Sequence, residues 1–248
     1  MNSIDLAVQL LRESKSVVAL TGAGISTDSG IPDFRSPGGI WSKYPAKFGD
    51  FSHFEKHPEQ FFKIGRELLP LLANAVPNAG HFALKELEDM DCLKAVITQN
   101  VDGLHQEAGS QKVIEIHGTY KTATCLQCNR KFTEDEVVSF LEKIPLCPDC
   151  SGIIKPDVVM FGEKLPKKAF REALQLAEQA DVMIAAGTSL EVYPASHLLL
   201  VTKSNKGHII IVNDTKTALD KVADVVIHES LSVCLPHIVE KFKQEENL

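Results

Sequence analysis

Four cysteines in two pairs carry the plainest chemical signal in the chain. Two residues separate Cys125 from Cys128 and Cys147 from Cys150, and eighteen lie between the pairs. That is the spacing expected of two knuckles sharing one zinc ion. Each pair presents two thiolates from a tight turn, and four thiolates close a tetrahedral site with no position left for water or substrate. The metal is therefore expected to serve folding, not reaction. A redox pair would not need a second matching pair, and chance spacing ranks far lower. Cys92 and Cys234 stand in apolar surroundings and are expected to be buried thiols.

A second constellation begins where the apolar run at 17–20 meets Gly22-Ala23-Gly24 and enters Ile25-Ser26-Thr27. This is the outline of a dinucleotide-binding strand, turn and helix, in which glycines let the backbone approach a pyrophosphate. Thr27 occupies the place of the third glycine of that fingerprint. A tight turn after a buried strand explains the same two glycines equally well.

Three further apolar runs end in polar or glycine-bearing turns: Gln99-Asn100-Val101-Asp102, Gly187-Thr188-Ser189 and Asn213-Asp214. Each alone suits a helix cap or turn. If their strands are parallel neighbours, all four turns converge on one crevice, because ligands of such sheets bind outside the carboxyl ends of the strands.

The elements that must position these residues follow from periodicity. Ile4, Ala7, Val8 and Leu11 recur at helical spacing, predicting a helix over 2–14. Strands are predicted at 17–20, 95–98, 158–161, 182–186, 208–212 and 225–227, with an apolar alternation at 113–116 leading to His117-Gly118. Residues 36–49, rich in Pro and Gly, read as a long loop without regular structure. Helices are predicted from about 58 to 72, with Pro70 bending or ending the first; from 77 to 90, with Phe82, Leu84, Leu87 and Met90 inward; and over 167–179, 193–203 and 232–244. The last buries Leu235, Ile238, Val239 and Phe242. Strands alternating with helices argue for an α/β fold, a doubly wound parallel sheet, which the cysteine segment between about 120 and 156 interrupts as an insertion.

The 248 residues and an apolar fraction of 44% suffice for one large domain with a smaller insert. A net charge of −7 argues against a general nucleic-acid binder. No secretory leader and no apolar segment long enough to span a bilayer is apparent. A cytoplasmic protein with reduced cysteines and no membrane or direct nucleic-acid partner is expected.

Taken together, Gly22-Ala23-Gly24-Ile25-Ser26, Gly30-Ile31-Pro32-Asp33-Phe34-Arg35, Thr98-Gln99-Asn100-Val101-Asp102, His117-Gly118 and the cysteine pairs resemble the sirtuin family of NAD-dependent protein lysine deacylases. Val158-Val159-Met160-Phe161-Gly162-Glu163, Gly187-Thr188-Ser189 and Ile211-Val212-Asn213 extend the match. The resemblance implies a Rossmann-like NAD-binding domain of residues 1–35, 76–119 and 157–248. A smaller domain would combine a mobile loop and helical module, 36–75, with a zinc-binding module, 120–156, holding one structural Zn2+ on Cys125, Cys128, Cys147 and Cys150.

The implied activity is transfer of the acetyl group of acetyl-lysine in protein substrates to ADP-ribose, releasing nicotinamide and free lysine. His117 matches the catalytic histidine, a general base for a ribose hydroxyl, and an imidazole titrates close enough to neutrality for that role. Asn100 and Asp102 match the residues that hold the nicotinamide carboxamide, and count with His117 as catalytic. Gly22, Ala23, Gly24, Thr27, Asp33, Phe34, Arg35, Trp41, Gln99, Val101, Gly187, Thr188, Ser189, Asn213, Asp214 and Leu231 complete the implied NAD contacts. Phe34 would shield the reactive ribose carbon, and Trp41 stands where tyrosine is more usual.

Val159, Phe161, Gly162 and Val192 match a cleft where an extended peptide adds as a strand. Family members that prefer acidic acyl groups carry a tyrosine and an arginine where this chain has Gly65 and Leu68, so deacetylation is expected, with longer apolar acyl groups tolerated. A mono-ADP-ribosyltransferase using the same NAD site is the alternative within enzymology. A zinc-ribbon binding module on an inactive nucleotide-binding domain ranks below it, since His117, Asn100 and Asp102 are all present.

Overall fold

The computed structural model describes residues 2–133, 136 and 144–246. In chain order the elements are α1 (Ser3–Glu13), β1 (Val17–Thr21), a 3-10 turn (Ala23–Ser29), α2 (Ile40–Lys43), α3 (Phe51–Phe54), α4 (Pro58–Asn74), α5 (Ala79–Asp89), β2 (Leu93–Thr98), α6 (Leu104–Glu107) and β3 (Val113–Glu115). There follow β4 (Gly118–Cys125), β5 (Lys131–Phe132), β6 (Ile154–Val158), α7 (Lys167–Gln179), β7 (Val182–Ala186), α8 (His197–Ser204), β8 (His208–Val212), β9 (Val225–Ile227) and α9 (Leu231–Glu246).

Six strands pair in parallel in the order β3-β2-β1-β7-β8-β9. All five residues of β1 are buried, because a parallel sheet has both faces covered by its crossover helices. The two faces read out as two cores. Val17 and Ala19 pack with Leu11, Leu84 and Leu235 on the side of α1, α5 and α9, while Val18 and Leu20 pack with Ala173, Ala177 and Leu198 on the side of α7 and α8. Each fully buried leucine contributes about 1.5–3 kcal/mol of transfer free energy. The order reverses at β1, whose neighbours are β2 and β7, which makes the β1–β7 edge the switch point where such sheets bind ligands.

β4, β5 and β6 form a separate antiparallel sheet. The chain enters it through Gly118, at φ 75°, where a Cβ would lie 1.9 Å from the Asp157 carbonyl oxygen. Only glycine permits this crossing, directly after His117. A small aromatic core of Phe54, Phe62 and Met160, with Phe51 and Phe61 against it, joins α3 and α4 to the residues following β6.

Several sequence expectations are corrected. Residues 36–49 contain α2 and a 3-10 turn at Ala46–Gly49, four-residue pieces too short to show a period. α4 continues through Pro70 to Asn74. The strand expected at 158–161 lies earlier, as β6, with Pro156 inside it opposite Ala123. The helix expected from 193 begins at His197. Phe82 is 49% exposed, because Gly80, His81, Ala83, Leu84 and Leu87 occupy the inward face of α5. Cys234 is buried as expected, and Cys92 only partly so. Residues 134, 135 and 137–143 of the expected zinc module lie outside the described residues. No described helix is long and apolar enough to cross a membrane.

The rings of His81 and His105 pack 4.8 Å apart, tilted by 60°, in the interior, and burial without a counter-charge drives their pKa values down to about 4 and about 3. Both are neutral at pH 7. The unfolded chain takes up these protons near the ordinary value of 6.5, whereas the native protein resists until far lower pH. Stability is thus lost as pH falls below 6.5, approaching about 1.4 kcal/mol per pH unit for each histidine. Urea unfolding at pH 7, 6 and 5 should show a steadily falling midpoint, and a flat midpoint would refute this.

Candidate active site

The turns after β1 and β7 press against each other. Gly24 N–H donates to the Gly187 carbonyl at 2.8 Å, and Gly22 N–H to the Ala186 carbonyl at 3.2 Å. A Cβ on Gly22 would come 2.8 Å from Thr188 Cβ, one on Gly24 2.9 Å from Gly187 Cα, and one on Gly187 2.2 Å from Ile25 N. The glycines are therefore required first by contact between turns, a reason that the reading from sequence did not include. Where the usual fingerprint leads into a longer helix, only the 3-10 turn Ala23–Ser29 follows.

Behind this wall lies a chain of buried polar groups. Thr21 Oγ1 is 2.9 Å from Thr98 Oγ1 and 2.9 Å from His105 Nε2, and Thr98 Oγ1 accepts from Asn100 N–H at 3.0 Å. This fixes the start of the turn after β2. Asn100 Nδ2 donates to the Gly22 carbonyl and to Ser26 Oγ, both at 3.1 Å, so its two amide hydrogens are used and its side-chain oxygen remains as an acceptor. Asp102 accepts from Ser26 Oγ at 2.7 Å and from Leu104 N–H at 3.0 Å. Burial raises its carboxyl pKa, against the lowering by these donors.

Ser26, 1% exposed and bridging both residues, is absent from the sequence-derived site. Its burial was the missing signal, and periodicity could not supply it. The buried Lys155 was likewise invisible: its ammonium meets Glu163 at 2.9 Å and the Val158 carbonyl at 2.7 Å, and Glu163 accepts from Met160 N–H at 2.8 Å. These contacts fix the segment after β6, which also pairs with its neighbours. Val159 N–H donates to the His117 carbonyl at 2.8 Å and Phe161 N–H to the Gly49 carbonyl at 2.9 Å.

His117 Nδ1 lies 3.1 Å from the Gln99 carbonyl oxygen. A carbonyl only accepts, so Nδ1 carries the hydrogen and Nε2 is left with its lone pair. Burial pushes the pKa below 6.5, and the Gln99 carbonyl opposes that in part. A neutral imidazole with a free Nε2 is the form a general base requires.

A cavity of about 1530 Å³ joins these groups. Its walls include Gly22, Ala23, Gly24, Thr27, Asp33, Phe34, Arg35, Trp41, Gln99, Asn100, Val101, Asp102, His117, Gly187, Thr188, Ser189, Asn213, Asp214 and Leu231, together with Val159, Phe161, Gly162 and Val192. All noncysteine site positions named from sequence thus border one space. Asp33 organises its own loop, accepting from Arg35 N–H at 3.1 Å and Ser36 N–H at 2.9 Å. The Phe34 and Trp41 rings pack 5.3 Å apart, and Arg35 meets Glu191 at 2.9 Å across the cavity mouth. Phe61, Gly65, Leu68, Leu69 and Leu72 supply an apolar wall from α4.

The sulfurs of Cys125, Cys128, Cys147 and Cys150 lie within 4.8 Å of one another, with Cys125 to Cys150 at 3.4 Å and Cys128 to Cys147 at 3.6 Å. A tetrahedral zinc with bonds of about 2.3 Å spaces its sulfurs by roughly 3.8 Å. The donor set and its dimensions fit the metal. The Cys128 N–H is the largest influence drawing the Cys125 thiol down, to about 6. A Cβ on Gly152 would come 2.9 Å from Cys125 Sγ, so glycine also clears room for the cluster.

The Sir2 family model matches residues 22–194. The NAD-dependent protein deacetylase of Thermotoga maritima is 47% identical over 218 residues, 87% of this chain and 89% of that one. Its counterpart from Sulfolobus acidocaldarius is 45% identical over 234 residues, covering 93% and 92%. A solved Sir2 enzyme superposes with a TM-score of 0.94 at 40% identity over 98% of both chains. A Sir2 complex with p53 peptide and NAD+ gives 0.89 at 41% identity over 100% and 99%. The six-stranded order, the four-cysteine cluster and these matches along nearly the whole length agree: the chain belongs to the Sir2 family.

Proposed function

We infer that this chain is an NAD-dependent protein lysine deacetylase, moving the acetyl group of acetyl-lysine to ADP-ribose and releasing nicotinamide and free lysine. The observation that carries the reading is His117, whose Nδ1–H is committed to the Gln99 carbonyl while Nε2 is free to accept a proton beside the glycine turns. Relatives named NAD-dependent protein deacetylases and Sir2 structures with acetylated peptide and with NAD+ support it.

NAD, when bound, supplies the ribose carbon that accepts the acyl oxygen. The turns at Gly22-Ala23-Gly24, Gly187-Thr188-Ser189 and Asn213-Asp214, with Thr27 and Leu231, would hold its phosphate and adenosine side. Asn100 and Asp102 would face the carboxamide. Both present acceptors, Asn100 because its amide hydrogens are used and Asp102 through its carboxylate, which suits the carboxamide NH₂. Phe34, Arg35 and Trp41 would close over the ribose. An extended peptide would lie against Val159, Phe161, Gly162 and Val192, with its acetyl-lysine reaching His117.

The same reading divides the chain into the large domain (1–35, 76–119 and 157–248), the loop and helical module (36–75) and the zinc module (120–156). The cytoplasm is its compartment, since four thiols must stay reduced to hold a metal. Zinc, held by Cys125, Cys128, Cys147 and Cys150, supplies folding energy to the small sheet.

His117→Ala should lower kcat by at least about 100-fold, the lower bound typical of a lost general base, with the melting temperature unchanged. In the unmodified enzyme the acid limb of kcat/KM should have its midpoint below 6.5, since desolvation lowers the imidazole pKa and keeps the base neutral further into acid. Normal turnover by the variant, or a midpoint above 6.5, would remove His117 from this role.

Cys125→Ala should cost a melting-temperature drop of roughly 5 °C or more and the bound zinc. An unchanged melting temperature with unchanged zinc content would contradict the site. Gly65 and Leu68 border the cavity without a charge, and the neighbouring Arg66 is exposed at its edge. Deacetylation should therefore outpace desuccinylation by about tenfold or more, the scale of one unpaired charge. Faster desuccinylation would overturn the acyl assignment.

A further inference from the structure

The segment that leaves the cavity after Gly162 carries an unusual charge. Lys164, Lys167 and Arg171 border the main cavity, and Lys167, Lys168 and Arg171 also border a second hollow of about 610 Å³ along α7. All four side chains belong to exposed residues, and none of the ion pairs or hydrogen bonds among the described residues engages them. The nearby acids are already matched: Glu163 with Lys155 at 2.9 Å, Glu172 with Lys112 at 3.6 Å and Glu191 with Arg35 at 2.9 Å.

The placement also runs against helix electrostatics. The first turn of α7 has no acidic residue, and its N-cap, Pro166, offers no side-chain hydrogen bond. Cations at the positive end of a helix are unfavourable. Lys167 and Lys168 stand in that first turn, with Lys164 just before it and Arg171 in the next, so that in a chain of net charge −7 positive potential is concentrated at one lip of the cavity.

We propose that this ridge selects protein substrates carrying acidic residues beside the acetyl-lysine. The proposal rests on the deacetylase reading above, in which the peptide lies along Val159 to Gly162. A chain in that position and extending past Gly162 passes Lys164, Lys167 and Arg171. Because these cations are exposed and flexible, their contribution is electrostatic and screened by salt. It acts on encounter and KM, leaving the chemistry at His117 alone.

The test uses acetylated peptides identical except for flanking Asp/Glu, Ser/Gln or Lys, assayed with NAD at low and high salt. At low salt kcat/KM should be about three- to tenfold higher for the acidic peptide than for the neutral one, the scale of a few exposed ion pairs, and the gap should close near 1 M salt. Lys164→Gln, Lys167→Gln and Arg171→Gln combined should abolish the preference while the neutral peptide is processed at the wild-type rate. Equal kcat/KM for all peptides at low salt, or a preference that survives the triple substitution, would overturn the proposal. A short DNA duplex bound more tightly than the acidic peptide, and lost in the same variant, would make the ridge a nucleic-acid surface and also overturn it. If no peptide is deacetylated, the deacetylase reading itself falls.

Discussion

The contact between the β1 and β7 turns is the constraint on which the site depends. Gly22, Gly24 and Gly187 meet backbone to backbone, with no room for a Cβ on any of them. Overpacking normally costs about 1–3 kcal/mol, and here the clash would be with backbone, which cannot rotate away. Because both turns hang from the central pair of a sheet buried on both faces, their separation is set by the hydrogen-bond ladder. The floor of the cavity is thus as rigid as the core. The segment between Asp33 and Gly49 is built differently, from short turns closed by local backbone contacts such as Ile40 N–H to the Asp33 carbonyl at 2.8 Å.

Rigidity extends to Asn100 and Asp102 through the hydrogen bonds that hold them. A buried amide or carboxyl without partners would cost more than it gives, so Ser26, Thr21 and Thr98 are as necessary to Asn100 and Asp102 as the strands are. Ser26 in particular donates to Asp102 and accepts from Asn100, setting the two side chains relative to each other and to the glycine turn. The acceptor capacity that survives this network is what remains for a ligand.

Much of this was legible beforehand, for reasons that can be named. β7, β8, β9 and α7 were placed to the residue, because continuous apolar runs and a clean helical stripe are strong periodic signals. The zinc module was legible because metal ligation demands a spacing. α2 and the shifted β6 were not, since four-residue turns and a strand containing Pro156 lack a period. Ser26 and Lys155 were missed because their roles depend on burial and on partners far along the chain. His117 was singled out through family resemblance, since residue type alone could not separate it from eight other histidines.

The fold separates the buried histidines physically. His81, His105 and His117 all have pKa values lowered by the same desolvation, so a shifted imidazole does not by itself mark a catalyst. What distinguishes them is access and commitment. His105 Nε2 is tied to Thr21 and its Nδ1 is sealed among packed atoms, as is Nε2 of His81, and neither ring borders the cavity. His117 borders the cavity, and its one committed nitrogen is the one that a backbone carbonyl can hold without competing for protons. Gly118 completes the arrangement: by turning the chain at once into the second sheet it lets the ring stand at the junction of the two sheets, on the wall of the cavity.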